Sequence, residues 1–211
     1  MQRWIAGGWV TAALVVLLAY LGAGTAAAEV TYFTPAQTEG PYYPVTKPAD
    51  RDSDLVAMQG ASGLPAGEIV EFGGTLFDAG GMPVAGAVIE IWQTDSNGIY
   101  AHPNARRTAQ RDANFQFYGE SVTAEDGTYR FRTILPGQYA PRPRHIHVKI
   151  KRNGRTLLTT QLYFADDPRK ATDSIFARTA GNAALIVELA EHTAADGSPV
   201  LYGRRDIVLR M

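Results

Sequence analysis

The chain has 211 residues, with 20 Lys and Arg against 21 Asp and Glu and a formal charge of −1. That near-balance argues against a nucleic-acid binder, which would carry a strongly basic face. No cysteine occurs, which excludes disulfides, lipoprotein attachment and thiolate metal ligation.

Arg3 precedes an uncharged stretch from Trp4 to Ala28, most apolar at Ala12–Leu21. Ala26-Ala27-Ala28 supplies the small residues that signal peptidase needs, so residues 1–28 read as a signal peptide. Export to the periplasm or the medium is expected, with no stable membrane association after cleavage. An uncleaved anchor is the alternative, because the uncharged stretch is long enough to span a bilayer. No twin arginine is present, so a metal would be acquired after export. Residues 29–211 are enough for one domain with a substantial core.

Residues 29–66 carry few regular signals and are expected to wrap the rest of the chain. Strands are expected at Val70–Phe77, Ala87–Trp92, Gly127–Leu135, His145–Arg152, Thr156–Phe164 and Asp206–Arg210. Asn153-Gly154 is a strong hairpin signal between two of them. Asn182–His192, with Leu185, Val187 and Leu189 among alanines, is read as one short helix near the C-terminus. Many short strands with Gly and Pro turns predict a mostly β protein, an antiparallel β-sandwich.

The densest chemistry lies in PGQYAPRPRHIHVKI, where Tyr139, Arg142, His145 and His147 fall within nine residues. His-Ile-His-Val-Lys-Ile alternates with the period of a strand, so both imidazoles project from one face. A His-x-His pair alone is ordinarily structural or solvated. With a phenol and a guanidinium just upstream it becomes half of a candidate metal site. Upstream, Asp95-Ser96-Asn97-Gly98 is a turn, and Tyr100 emerges just past it. His102 reads as a loop residue beside the site and His192 as solvated. Arg142, Arg144, Lys149, Lys151, Arg152 and Arg155 concentrate positive charge near the histidines. That cluster is either a solvated strand end or an attractor for an anionic substrate.

Taken together these segments resemble the intradiol ring-cleavage dioxygenases, the group that includes protocatechuate 3,4-dioxygenase. Trp92-x-x-Asp95-x-x-Gly98-x-Tyr100 matches, as does Asp126-Gly127-x-Tyr129-x-Phe131-x-Thr133-Ile134-x-Pro136-Gly137-x-Tyr139. Arg142-Pro143-x-His145-Ile146-His147, Gln161, the segment Thr38–Pro44 and the final Asp206–Leu209 follow the same order. The resemblance implies that Tyr100, Tyr139, His145 and His147 ligate one Fe(III) per chain. It also implies that Tyr139 leaves the metal to act as a base, while Arg142 stabilises charge on the substrate and Gln161 orients the surroundings. Two hard phenolate donors suit a trivalent ion, and no carboxylate adjoins the histidines for a two-His-one-carboxylate Fe(II) site. The implied reaction uses O2 to open a catechol-type ring between its two hydroxyl-bearing carbons, giving a cis,cis-muconate-type diacid. Members of the family range widely in assembly, so a homo-oligomer fits the resemblance.

Only Ala140 and Pro141 separate Tyr139 from Arg142, where protocatechuate dioxygenases carry a longer, tryptophan-containing insertion. A more open mouth is expected here. The long helical N-terminal domain of catechol and hydroxyquinol dioxygenases has no counterpart in this sequence. A reading from another class also remains: Gly81-x-Pro83-Val84-x-Gly86-Ala87 recurs in non-catalytic transthyretin-like modules, so an exported sandwich could bind copper or a polysaccharide. The convergence of Tyr100 and Tyr139 on the histidines is what separates the two.

Overall fold

The computed structural model describes residues 27–194 and 196–211. The expected signal segment through Ala26 lies outside the described residues. Among the described residues ten strands form two five-stranded sheets, the sandwich that the sequence predicts. The first combines β1 (Ile69–Phe77), β4 (Thr128–Ile134), β8 (Leu189–Thr193), β9 (Pro199–Arg204) and β10 (Ile207–Val208). The second runs in the order β3 (Tyr118–Val122), β2 (Val88–Trp92), β5 (His145–Arg152), β6 (Arg155–Phe164), β7 (Ile186–Val187).

Both sheets are mixed rather than wholly antiparallel. β1 pairs in parallel with β9 and β10, and β6 with β7. Such pairings join strands far apart in sequence, so no local turn signal announces them. The β5–β6 hairpin does form at Asn153-Gly154, where both residues take positive φ, 51° and 74°.

The helix expected over Asn182–His192 does not form. Residues Asn182–Leu185 make a 3-10 turn, then the chain enters β7 and β8. The physical reason is visible in the spacing: Leu185, Val187 and Leu189 are two apart, the period of a strand. Leu185 and Val187 are buried, and Val187 pairs with Phe164. The α-helix is instead α1 (Ser174–Arg178), with the Asp173 carboxylate accepting from the amides of Ile175 and Phe176.

Alternation on β2 and β5 sorts the side chains. Ile89, Ile91, Ile146, Val148 and Ile150 face the other sheet and join Val70, Phe72, Leu76 and Phe131 in the main core. Glu90, Trp92, His145, His147, Lys149 and Lys151 take the opposite face. That outer face is nonetheless buried, because the segment before β1 lies across it. The Gln37 amide donates to Thr159 O at 2.9 Å, and Gln161 Nε2 donates to Thr38 O at 2.8 Å.

Glu90 fastens this covering segment. Its carboxylate is 1% exposed, accepts from Tyr43 Oη at 2.7 Å and Lys47 Nζ at 2.8 Å, and pairs with Lys151 at 2.9 Å. These partners hold the carboxyl below its ordinary value against the opposing effect of burial. Glu90→Ala leaves two half-exposed lysines without this partner. It is expected to cost about 1–3 kcal/mol, measured by urea unfolding.

Candidate metal centre

Register places the site. Across the outer face of the second sheet, Tyr118, Trp92, His147 and Gln161 occupy one row of partners on β3, β2, β5 and β6. The Trp92 and His147 rings stack at 4.7 Å and 9°, which fixes the imidazole plane. Gly40 of the covering segment passes above the same ring, and a Cβ there would sit 3.2 Å from His147 Cε1. Its φ of 73° also favours glycine.

Tyr100 reaches the histidines from the loop after β2. Asp95 builds that loop as the sequence suggests, accepting from the amides of Asn97 and Ile99. Gly98 and Gly137 let the loop press against the segment carrying Tyr139. A Cβ on Gly98 would lie 2.0 Å from Gln138 O, and one on Gly137 would lie 2.3 Å from Ser96 O.

The result is a triangle of donor atoms. Tyr100 Oη lies 3.2 Å from His145 Nε2 and 3.1 Å from His147 Nε2, and the two nitrogens are 3.2 Å apart. His145 Nδ1–H donates to Pro143 O at 2.7 Å, which leaves Nε2 as the lone-pair nitrogen. Burial first, and the Arg142 charge second, depress the His145 imidazole to about 4. Burial, His145 and Arg142 push His147 well below its usual range. Both rings are therefore neutral at pH 7. Burial raises the Tyr100 phenol far above its ordinary value, while the Arg142 charge opposes that.

Two imidazole nitrogens and a phenol oxygen thus converge in a buried cluster, and His147 Nδ1 has no hydrogen-bond partner. Ligands held about 2.0–2.2 Å from one ion stand roughly 3 Å apart, as these do. The residues present thus fit a bound metal. Among the described residues no group of three or more His, Cys, Asp or Glu gathers elsewhere as a competing site.

Tyr139 lies beside the triangle rather than in it. Its ring is 5.7 Å from that of Tyr100, and its hydroxyl is 2.9 Å from Tyr42 Oη. Tyr42 stacks on Tyr100 at 4.7 Å; its hydrogen bond to Tyr139, with burial, raises its phenol to about 12. Arg142 is held by an ion pair to Asp173, by Gln161 Oε1 at 2.7 Å and by Tyr163 Oη at 3.1 Å. Gln161 therefore spends its oxygen on Arg142 and its nitrogen on Thr38. His102 sits in the adjoining loop with its Nδ1 accepting from the Asn104 amide, away from the triangle's hydrogen bonds. Sequence reading missed Tyr42 and Asp173. The Thr38–Pro44 motif points to the first, and no local pattern marks the second.

The depressed imidazoles give the metal-free chain a pH dependence. Folding favours the neutral form, so below about 6.5 the unfolded chain binds more protons and stability falls with pH. The shift at His145 corresponds to about 3 kcal/mol, present above about 6.5 and lost as pH falls toward about 4. Thermal melts of metal-free protein at neutral and acidic pH check this. An unchanged midpoint is the contrary result.

A family model described as Dioxygenase matches residues 38–211. The chain belongs to the intradiol ring-cleavage dioxygenase family. The protocatechuate 3,4-dioxygenase beta chain of Burkholderia cepacia is 37% identical over 169 residues, covering 75% of this chain and 72% of that one. Catechol 1,2-dioxygenase of Acinetobacter baylyi is 33% identical over 191 residues, and the match covers 82% of this chain but 58% of that enzyme. Among solved structures, the dioxygenase domain of a dioxygenase–carbohydrate-binding fusion from Streptomyces sp. SirexAA-E superposes with a TM-score of 0.65 at 34% identity. That match covers 85% of this chain and 99% of that domain. This intradiol dioxygenase thus shares the fold of ring-cleaving oxidoreductases as well as their sequence motifs.

Proposed function

We propose that the chain is an exported Fe(III) dioxygenase that opens a catechol-type ring between its hydroxyl-bearing carbons, giving a cis,cis-muconate-type diacid. The buried triangle of Tyr100, His145 and His147, with Tyr139 at its edge, carries this reading. Tyr100, His145, His147 and Tyr139 are the residues that would hold one iron per chain. Bound there, Fe(III) would take up the catecholate and draw electron density from its ring, opening it to O2.

The chain's own residues supply the rest. Tyr139 Oη already shares a hydrogen bond with Tyr42 Oη, so it has a place to rest away from the triangle. As a phenolate it could there accept a proton from a substrate hydroxyl and become the neutral phenol. Arg142, oriented by Asp173 and Gln161, directs a permanent positive charge toward the cluster and stabilises negative charge developing on the substrate. Gln161 acts through Arg142. The covering segment keeps water from the histidine face. The copper- or polysaccharide-binding alternative gives no reason for two tyrosines to converge on these rings.

Export is supported by the uncharged stretch and its alanine exit. A secreted form beginning at Glu29 is the expected product. For the reaction, iron-loaded protein given catechol and isotopically labelled O2 is expected to place both labels in one diacid. Cleavage beside the hydroxyls, or incorporation of a single label, would contradict the proposal.

A further inference from the structure

The positive cluster seen in the sequence is largely cancelled where it meets the site. Arg142 pairs with Asp173, Arg144 with Asp166 and Asp167, Lys149 with Glu39, and Lys151 with Glu90. A charge already held by a carboxylate adds little to long-range attraction of another anion, although Arg142 still acts on the groups beside it.

Arg106 and Arg107 are different. Both are exposed, on the loop that follows Tyr100. Among the described residues neither belongs to a salt bridge. Arg107 has a single long contact, 3.5 Å to Asn97 O. The two arginines line a cavity of about 240 Å³ whose other walls include Tyr100, Ala105, Gln138 and Tyr139. No acidic side chain lines it. One end of the cavity therefore touches the candidate metal ligands, and its rim carries two unpaired guanidinium groups.

We infer that the Arg106–Arg107 rim is a subsite for an anionic substituent, so that this chain prefers catechols bearing a carboxylate over unsubstituted catechol. The inference rests on the ring-cleavage reading of the adjoining site. A guanidinium meets a carboxylate through two parallel N–H donors and stays charged at any working pH. In the free protein both arginines remain hydrated, so engaging a substrate anion breaks no existing ion pair. Of the short connection between Tyr139 and Arg142, only Ala140 lines this cavity.

Anaerobic calorimetric titration of the full chain, with and without iron, compares 3,4-dihydroxybenzoate with catechol. The carboxylated compound is expected to bind at least about tenfold more tightly, with the preference shrinking as salt is raised. In the double variant Arg106→Glu with Arg107→Asn the preference should fall below about twofold. Asparagine is chosen because Arg107 has φ 57°, a left-handed conformation that asparagine tolerates. Arg152→Gln with Arg155→Gln, on the distant hairpin, should leave the ratio unchanged. The ratio of kcat/KM values in iron-loaded enzyme should move with the affinities. Circular dichroism checks the fold, and the single variant Arg106→Gln gives the same comparison if the double one is unstable. Equal affinities in the parent chain, no binding of the carboxylated compound in either form, or a preference that survives the double variant overturns the inference. Preferential binding without any ring cleavage would leave the subsite standing and remove the catalytic reading instead.

Discussion

Replacing His147 with alanine is expected to abolish iron retention and ring cleavage while leaving the sandwich folded. His147 supplies one corner of the donor triangle, and its removal leaves Tyr100 and His145 as the only buried donors at 3.2 Å. Even residues that merely orient a ligand cost tenfold to a hundredfold in metal affinity when lost. A direct ligand should cost at least about a hundredfold. The fold should survive because His147 faces away from the main core and one of its ring nitrogens, Nδ1, has no hydrogen-bond partner. The cavity left beneath Trp92 should cost about 2–4 kcal/mol. Iron content after dialysis, read beside a circular dichroism spectrum, checks both halves. Full iron retention in a folded variant would remove His147 from the ligand set.

Gly98→Ala should be as damaging for a different reason. Gly98 has φ 75°, and its Cβ would stand 2.0 Å from Gln138 O, a backbone atom that cannot rotate aside. The substitution must separate the Tyr100 loop from the Tyr139 segment. We expect a loss of about 3 kcal/mol or more and, in whatever folds, a site unable to bring its two tyrosines together. Gly154→Ala is the matched control. It has nearly the same φ, 74°, but nothing within 4 Å, so it should cost only about 1–2 kcal/mol. Urea unfolding of the pair separates steric collision from backbone preference. Equal losses would mean that close approach is not what Gly98 provides.

The contrast between these glycines bears on what the sequence made legible. The histidine strand was readable in full: His145–Arg152 has the same limits in sequence and structure, because alternation is a local signal. The facing of both imidazoles followed from it. The edge strand β8 was not readable. Leu189–Thr193 is mostly exposed and becomes a strand only by pairing with Pro199–Arg204. The leucines, valine and alanines of Asn182–His192 suggested a helix, and tertiary pairing overrode that propensity.

Partnerships across long separations were hidden for the same reason. Glu39, Glu90, Asp166, Asp167 and Asp173 neutralise cations that look unopposed in the linear sequence. Tyr42 reaches Tyr139 across 97 positions. Local pattern therefore placed the two histidines and the two tyrosines, but not what orients them. The free arginines beside the cavity could be recognised only after the paired ones had been set aside.

The most direct measurement is the visible spectrum of the iron-loaded chain, lacking residues 1–28, before and after anaerobic addition of catechol. A tyrosinate-to-Fe(III) absorption band that shifts when catechol is added is the predicted result, since it reports both the phenolate ligand and direct substrate uptake. A colourless protein carrying stoichiometric copper or zinc, or no metal at all, would contradict it.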